Sequence, residues 1–120
     1  MTLNEYQARA MSTCLPTCDN ESYMLLNLVG EVGELSGKIA KHIRKGHFDI
    51  KDNVLQGKWE SVDDATACME DLKSEAGDIL WQLAGFCKKM GWPLEEVAQC
   101  NLDKLANRKR EGTIISHTDH

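Results

Sequence analysis

The chain has 120 residues, of which 42% are hydrophobic and 28% charged, and this length predicts one domain that can bury its own core. Its 19 acidic and 14 basic residues give a net charge of −5, which disfavours a general nucleic-acid-binding protein because phosphates require a basic surface. The five cysteines are odd in number and form no CxxC motif, which disfavours a disulfide framework or a zinc ribbon and indicates reduced thiols in the cytoplasm.

The first predicted helix follows Thr2. Thr2 and Glu5 form a capping-box pattern in "TLNE", in which the hydroxyl accepts from a backbone N–H of the first turn. Pro16 cannot continue a helix, so we expect this one to end near Cys14.

The second predicted helix begins at Asp19 or Asn20, both good N-cap residues, and runs to about Lys45, before Gly46. Its apolar residues recur every three or four positions and form one stripe. The stripe consists of Leu25, Leu28, Val32, Leu35, Ile39 and Ile43.

The segment His47–Glu60 has no helical period and contains Gly57. We predict a loop there, with short extended pieces, and a loop of this length is often functional or disordered. A third helix begins near Ser61 and ends at Gly91. Its apolar stripe is Leu72, Ala76, Ile79, Leu83, Phe86 and Met90.

The fourth predicted helix has Pro93 in its first turn and continues to about Arg110. Leu94, Val97, Leu102 and Leu105 supply its apolar side. The sequence thus predicts an all-α bundle of about four main helices in residues 1–112, completed by homo-oligomerisation, and a polar tail at 113–120.

Two carboxylate pairs stand out against this pattern. Glu31 and Glu34 lie three residues apart in the second helix, and Glu75 and Asp78 repeat the spacing in the third. Residues three apart share a helix face, and each pair borders an apolar stripe. If the stripes pack together, the four carboxylates converge.

A glycine lies inside each pair, Gly33 in the first and Gly77 in the second. Glycine weakens a helix interior by about 1 kcal/mol relative to alanine. We interpret these glycines as room for a bulky ligand and for the close approach of another helix.

Converging carboxylates require protons or a cation among them. Oxygen ligands alone favour Mg²⁺ or Mn²⁺ over zinc, and Mg²⁺ is commonly completed by substrate phosphates. Ordinary solvated helix faces remain an alternative for such pairs. A di-iron bundle is disfavoured, because its Glu-x-x-His pairs are absent from both motifs.

The segments "LVGEVGELSGKIAKHIRKG" and "SEAGDILWQLAGFCKKMGWPLEEVAQCNLDKLANRKREG", preceded by "TLNEYQ", resemble the MazG-like nucleoside triphosphate pyrophosphohydrolases of the all-α NTP pyrophosphatase superfamily. The similarity spans roughly Thr2 to Gly112. It implies hydrolysis of an NTP or dNTP to the monophosphate and pyrophosphate. It also implies a homodimer or homotetramer with sites near subunit interfaces.

Residue roles follow from the resemblance, motif by motif. Glu31, Glu34, Glu75 and Asp78 would bind Mg²⁺, with Mn²⁺ as a possible substitute, and Glu34 and Glu75 would be catalytic, Glu34 as a candidate general base. The implied substrate contacts are Lys38, Asn101, Lys104 and Arg108.

The chain departs from the resemblance between the two motifs. Forty residues, 35–74, separate them, more than in many family members, and the excess lies in His47–Glu60. A substrate lid, a base-recognition element and an oligomer contact are open alternatives for it. Trp59 in this segment and Trp81 beside the second motif are candidates for stacking on a nucleobase, although Trp81 also suits the core.

Other readings stay open. His42, His47 and Asp49 are close enough in sequence for a second metal site, but surface placement is the simpler interpretation. A non-catalytic nucleotide-binding or protein-interaction oligomer is one alternative function, and a pyrophosphohydrolase for a modified or phosphoribosyl nucleotide is another. The sequence shows neither a secretory signal nor a membrane-length apolar run, so we expect no membrane partner. The net negative charge predicts no nucleic-acid polymer as a partner.

Overall fold

The structure is a computed structural model that describes residues 1–112, and the predicted tail at 113–120 lies outside them. Within the described residues the chain forms helices and one small hairpin, which confirms the predicted all-α bundle. The elements are α1 (Leu3–Met11), a 3₁₀ helix (Pro16–Cys18), α2 (Glu21–Arg44), β1 (Phe48–Lys51), β2 (Val54–Gly57), α3 (Val62–Lys89) and α4 (Leu94–Glu111). None of the helices in this part of the chain is both long enough and apolar enough to cross a membrane.

The helices α1, α2 and α3 begin at side chains that accept a hydrogen bond from the first turn. Thr2 Oγ1 accepts from the Glu5 N–H at 3.1 Å, and Asn20 Oδ1 accepts from the Tyr23 N–H at 2.8 Å. Ser61 caps α3 in the same way. These local bonds satisfy backbone donors that a helix cannot pair internally, which is why the predicted starts are confirmed.

Two helix boundaries differ from the prediction. The first helix ends at Met11 rather than near Cys14, because the Ser12 and Thr13 hydroxyls donate back to backbone carbonyls of the last turn and favour a turn over further helix. Pro93 lies at the N-cap of α4 instead of inside its first turn.

The predicted loop at His47–Glu60 contains an antiparallel hairpin. Phe48 pairs with Gly57 and Lys51 with Val54 across its two strands. Asp52 and Asn53 form the tip with φ angles of 54° and 65°, the left-handed pair that a two-residue hairpin turn requires and that Asp and Asn tolerate. Phe48 is buried and contacts Trp59 edge-to-face, with ring centroids 5.4 Å apart.

A small core joins α1 to the ends of the other helices. Its buried apolar residues are Met11, Met24, Ala84, Cys87 and Leu94. Gln7 ties the same region together, because its amide donates to the carbonyls of Ala84 and Trp92 at 3.1 Å and its oxygen accepts from the Leu94 N–H. This amide places the start of α4 against α1 and α3.

The predicted apolar stripes are only partly buried within one chain. The long helices α2 and α3 pack together, yet Leu25 and Val32 remain 49% and 47% exposed, and Met90 is 41% exposed. Met24, outside the predicted stripe, is fully buried. The face of α2 toward the core is therefore rotated from the predicted one, and an apolar strip is left at the surface.

Close helix approach occurs at Gly85 rather than at the two predicted glycines. A Cβ atom on Gly85 would lie 2.4 Å from Met24 Sδ and 3.3 Å from Met11 Sδ. At Gly33 and Gly77 no neighbouring atom of the described chain lies within 4 Å of such a Cβ. The interpretation of these two glycines as helix-contact positions is therefore not supported within one chain.

This contrast predicts opposite effects for the same substitution. Gly77→Ala should stabilise the protein by up to about 1 kcal/mol through helix propensity. Gly85→Ala gains the same propensity but overpacks the fully buried Met24, so we expect it to be less stable than Gly77→Ala by about 1–3 kcal/mol. Urea unfolding of both variants at equal protein concentration measures the difference, and equal midpoints would contradict the close contact.

Candidate active site

Three carboxylates meet where α2 and α3 pack together. Glu31 comes from α2, and Glu75 and Asp78 come from successive turns of α3. One oxygen from each lies within 4.8 Å of the others. Glu31 and Glu75 are half-buried and Asp78 is exposed, so this group, the acidic trio, lies at the solvent edge of the helix interface.

The trio carries an excess of negative charge. Burial, together with the charges of Asp78, Glu75 and Glu34, raises the pKa of Glu31 above its ordinary value. The Asn27 amide, which donates to Glu31 Oε1 at 3.4 Å, partly offsets this effect. A bound cation would remove the same repulsion.

The donor set fits a hard divalent cation. All the ligand atoms are carboxylate oxygens, which Mg²⁺ and Mn²⁺ accept and which a structural zinc site would normally supplement with nitrogen or sulfur. Exposure of Asp78 leaves one side of the group open to solvent and to a ligand. The arrangement can therefore hold a metal ion while keeping coordination positions for water or phosphate oxygens.

Lys38 lies against the trio and connects the two helices. Its ammonium is 2.8 Å from Glu75 Oε1 and 2.6 Å from Asp71 Oδ1. These hydrogen bonds raise the pKa of Lys38, and those from Lys38 and His42 lower the pKa of Asp71. The lysine predicted to face phosphates thus already has carboxylate partners, one of them in the trio.

A shallow cavity of about 430 Å³ runs along α2 beside this lysine. Its lining combines three glycines, one acid and three basic side chains: Gly30, Gly33, Glu34, Gly37, Lys38, Lys41 and Arg44. We call it the glycine groove. At Gly33 and Gly37 there is open space where a Cβ would stand, so the glycines widen the groove.

Glu34, the fourth predicted ligand, lines this groove and is not part of the trio. It is exposed, and its charge still contributes to the raised pKa of Glu31. The structure therefore brings three of the four predicted ligands together, and metal binding by Glu34 stays a prediction.

The substrate contacts predicted on α4 lie elsewhere in one chain. The main packing of α4 is with α1, and Asn101 and Lys104 are exposed. Among residues 1–112 their side chains form no hydrogen bond or ion pair. Arg108 is half-buried on the same helix. Roles for these three residues in substrate binding stay predictions.

Trp81 occupies a core position. Its indole N–H donates to the Ala10 carbonyl and to Thr13 Oγ1, both at 3.1 Å, and its ring packs against the buried core. These contacts account for the tryptophan without a nucleobase. Trp59 packs on the hairpin instead. The contacts of both indoles therefore lie away from the acidic trio.

Three residues near the trio were missed from the sequence. Asn27 and Asp71 each precede a predicted ligand by four residues, a spacing that shares a helix face and was available as a signal. Tyr6 belongs to α1, and burial together with the charge of Asp78 raises its pKa. Nothing local in the sequence connects Tyr6 with α3.

Comparison with known proteins agrees with this geometry. The sequence model of the MazG nucleotide pyrophosphohydrolase domain matches residues 19–113, which include α2, α3, α4 and every residue of the trio. The chain is also similar to the Gene 37 protein of Mycobacterium phage L5, with 32% identity over 127 residues that cover 100% of this chain and 99% of the phage protein. No solved structure matches significantly. The match over most of the chain, with the acidic trio inside it, shows that the protein belongs to the MazG nucleotide pyrophosphohydrolase family.

Proposed function

We propose that this protein is a Mg²⁺-dependent pyrophosphohydrolase that converts an NTP or dNTP to the monophosphate and pyrophosphate. The observation that carries the proposal is the contact of the acidic trio with Lys38, which also lines a groove together with Lys41 and Arg44. Anionic and cationic groups side by side suit a metal ion and a polyphosphate together. A purely solvated acidic face would not need the adjoining basic groove.

Within this proposal Glu31, Glu75 and Asp78 would hold Mg²⁺, for which Mn²⁺ could substitute. A metal ion held there would supply neutralisation of phosphate charge and orientation of the attacking water. The half-buried position of Glu31 and Glu75 keeps two of the ligands fixed by the helix interface, which favours precise placement of the phosphates.

The glycine groove would receive the triphosphate. Lys38, Lys41 and Arg44 follow one another at intervals of three along α2 and line the same cavity, so their charges meet the phosphate oxygens from one side. The glycines leave the helix surface low enough for the chain of phosphates to lie along it.

Glu34 is the proposed general base. It is exposed in the groove rather than committed to the trio. The water oxygen bonds to the α-phosphorus, the bond from that phosphorus to the oxygen bridging to the β-phosphorus breaks, and pyrophosphate leaves. Glu34 takes the proton of the water.

We further propose that the protein works as a homo-oligomer, dimer or tetramer. The radius of gyration is 17.8 Å, whereas a compact chain of this length has about 13–14 Å. Leu26 and Val29 on α2 are 74% and 70% exposed, next to the half-exposed Leu25 and Val32. A second copy covering this strip would bury the apolar surface and could bring Asn101, Lys104 and Arg108 of α4 to a neighbouring site.

The central test is pyrophosphate release from a panel of NTPs and dNTPs with and without Mg²⁺. Asp78→Asn removes one ligand charge at an exposed position, and we expect kcat/KM to fall by about 100-fold or more. Glu70→Gln is the matched control on the same helix, since within residues 1–112 the ion pair of Glu70 is with Lys73, at 3.1 Å. Nucleotide binding without turnover on any substrate of the panel would contradict the enzyme and favour a binding module.

Lys38→Met separates two roles of the lysine. If Lys38 contacts phosphate and competes with the metal for Glu75, the variant should raise KM by about 10-fold. The same variant should strengthen Mg²⁺ binding measured without nucleotide, because a positive charge is removed beside the trio. Lys73→Met is the control. Weaker Mg²⁺ binding with an unchanged KM would show that Lys38 only supports the helix pair.

Val29→Asp tests the oligomer. A charge in the exposed apolar strip should produce monomers in light scattering and lower the activity if sites depend on the neighbouring chain. Val62→Asp is the matched control, because Val62 is 81% exposed at the first residue of α3, where an acid suits the helix dipole. A monomeric wild-type protein with full activity would refute the proposed assembly.

A further inference from the structure

A second group of possible metal ligands lies at the other end of the α2–α3 interface. His42 is in the last turn of α2, His47 precedes β1, and Cys68 is in α3. One ligand atom from each lies within 4.8 Å of the others. The histidines are half-buried and Cys68 is 5% exposed, so the group is largely enclosed.

The hydrogen bonds of His42 leave a nitrogen lone pair facing this group. Its Nε2 is 3.1 Å from Asp71 Oδ2, and because an ionised carboxylate can only accept, Nε2 carries the hydrogen. In the neutral ring Nδ1 is then an acceptor. It lies 2.9 Å from His47 Nδ1, so His47 supplies the hydrogen between the two nitrogens.

A metal ion can take the place of that hydrogen. Asp71 accepting from the remote nitrogen of His42 is the carboxylate–histidine arrangement that orients metal-bound imidazoles. Asp71 is itself held by Lys38 at 2.6 Å. The ring of His42 is therefore held with its Nδ1 lone pair toward His47, where a metal ion could replace the shared hydrogen.

The distances suit a tetrahedral ion after small movements. With bonds of about 2.0–2.1 Å to nitrogen and 2.3 Å to sulfur, ligand atoms in a tetrahedron stand about 3.3–3.6 Å apart. The two histidine Nδ1 atoms are slightly closer than this, at 2.9 Å, and one ligand atom from each of the three residues lies within 4.8 Å of the others. A cavity of about 350 Å³ adjoins them, which gives room for ring rotation and a fourth ligand.

We propose that His42, His47 and Cys68 form a binding site for a Zn²⁺-class ion, separate from the acidic trio. Two imidazoles and a thiolate select such borderline ions over Mg²⁺. The fourth position would be taken by water or by Asp64, which lines the same cavity. Asp49, considered from sequence, instead pairs with Lys58 at 2.6 Å across the hairpin.

The site would join three elements. His47 donates its backbone N–H to the His42 carbonyl at 2.9 Å and accepts from the Lys58 N–H at 2.8 Å, so it closes the base of the hairpin. A metal bridging His47 to α2 and α3 would bind the hairpin to the helix pair. Metal that binds only the folded chain stabilises it by mass action.

The test uses the full chain, stripped of metal with a chelator and titrated with Co²⁺ in excess Mg²⁺. We expect one Co²⁺ per chain with thiolate-to-cobalt charge-transfer absorption, displacement by Zn²⁺, and a higher Tm with Zn²⁺. Cys68→Ser should abolish the charge-transfer band. His47 is more exposed than Cys68, so His47→Gln is the milder change. It should weaken Co²⁺ binding by at least about 10-fold in a chain shown by circular dichroism to be folded.

Two controls decide the assignment. Cys100→Ser, which removes the exposed thiol of α4, should leave the band unchanged. Asp78→Asn, which damages the acidic trio, should also leave it unchanged, so the outcome does not depend on the proposed enzyme activity. Absence of the band in the wild type, or its persistence in Cys68→Ser, would overturn the proposal.

Discussion

The position of Lys38 between Asp71 and Glu75 is the constraint on which the site depends. It places one cation of α2 against two acids of α3 that lie one turn apart, and so opposes sliding of the helices along each other. In the same helix pair Glu31 lies close to Glu75 and Asp78. Without the cation, two neighbouring acids in a partly desolvated interface would repel each other, and the trio would lose its local counter-charge.

The remaining packing leaves this helix pair accessible. Most of the fully buried apolar residues lie near α1 and the start of α4, where Gln7 satisfies three backbone groups. Around the trio and the glycine groove, by contrast, the helix surface consists of glycines, acids and bases. Each of these charged side chains is half-buried or exposed. A well-packed end supports an open, polar stretch of the same helices, which is what binding a charged ligand requires.

Local chemistry was sufficient for most of the fold. Thr2, Asn20 and Ser61 start helices through bonds to residues three positions away, so the sequence alone reveals them. That Glu75 and Asp78 share a helix face follows from helix periodicity in the same way. The predicted packing of α2 against α3 also predicted that Glu31 lies near them.

The failures share a different physical origin. Met24 rather than Leu25 is buried, and the pairing of Lys38 with Asp71 was not predicted. Both depend on how far α2 is rotated against α3, which no spacing within one helix determines. The short extended pieces were predicted, but their pairing into a hairpin was not, because strands of four residues each are too short for a clear alternation. The Asp52-Asn53 pair was nevertheless a usable turn signal.

Asp71 connects the two ends of the interface. Its Oδ1 accepts from Lys38, the neighbour of the oxygen-only trio, and its Oδ2 accepts from His42, a member of the nitrogen and sulfur group. A single carboxylate therefore orients a cation on one side and an imidazole on the other. Because hard oxygen donors and softer nitrogen and sulfur donors attract different ions, the two groups can lie on one helix pair without competing for the same metal.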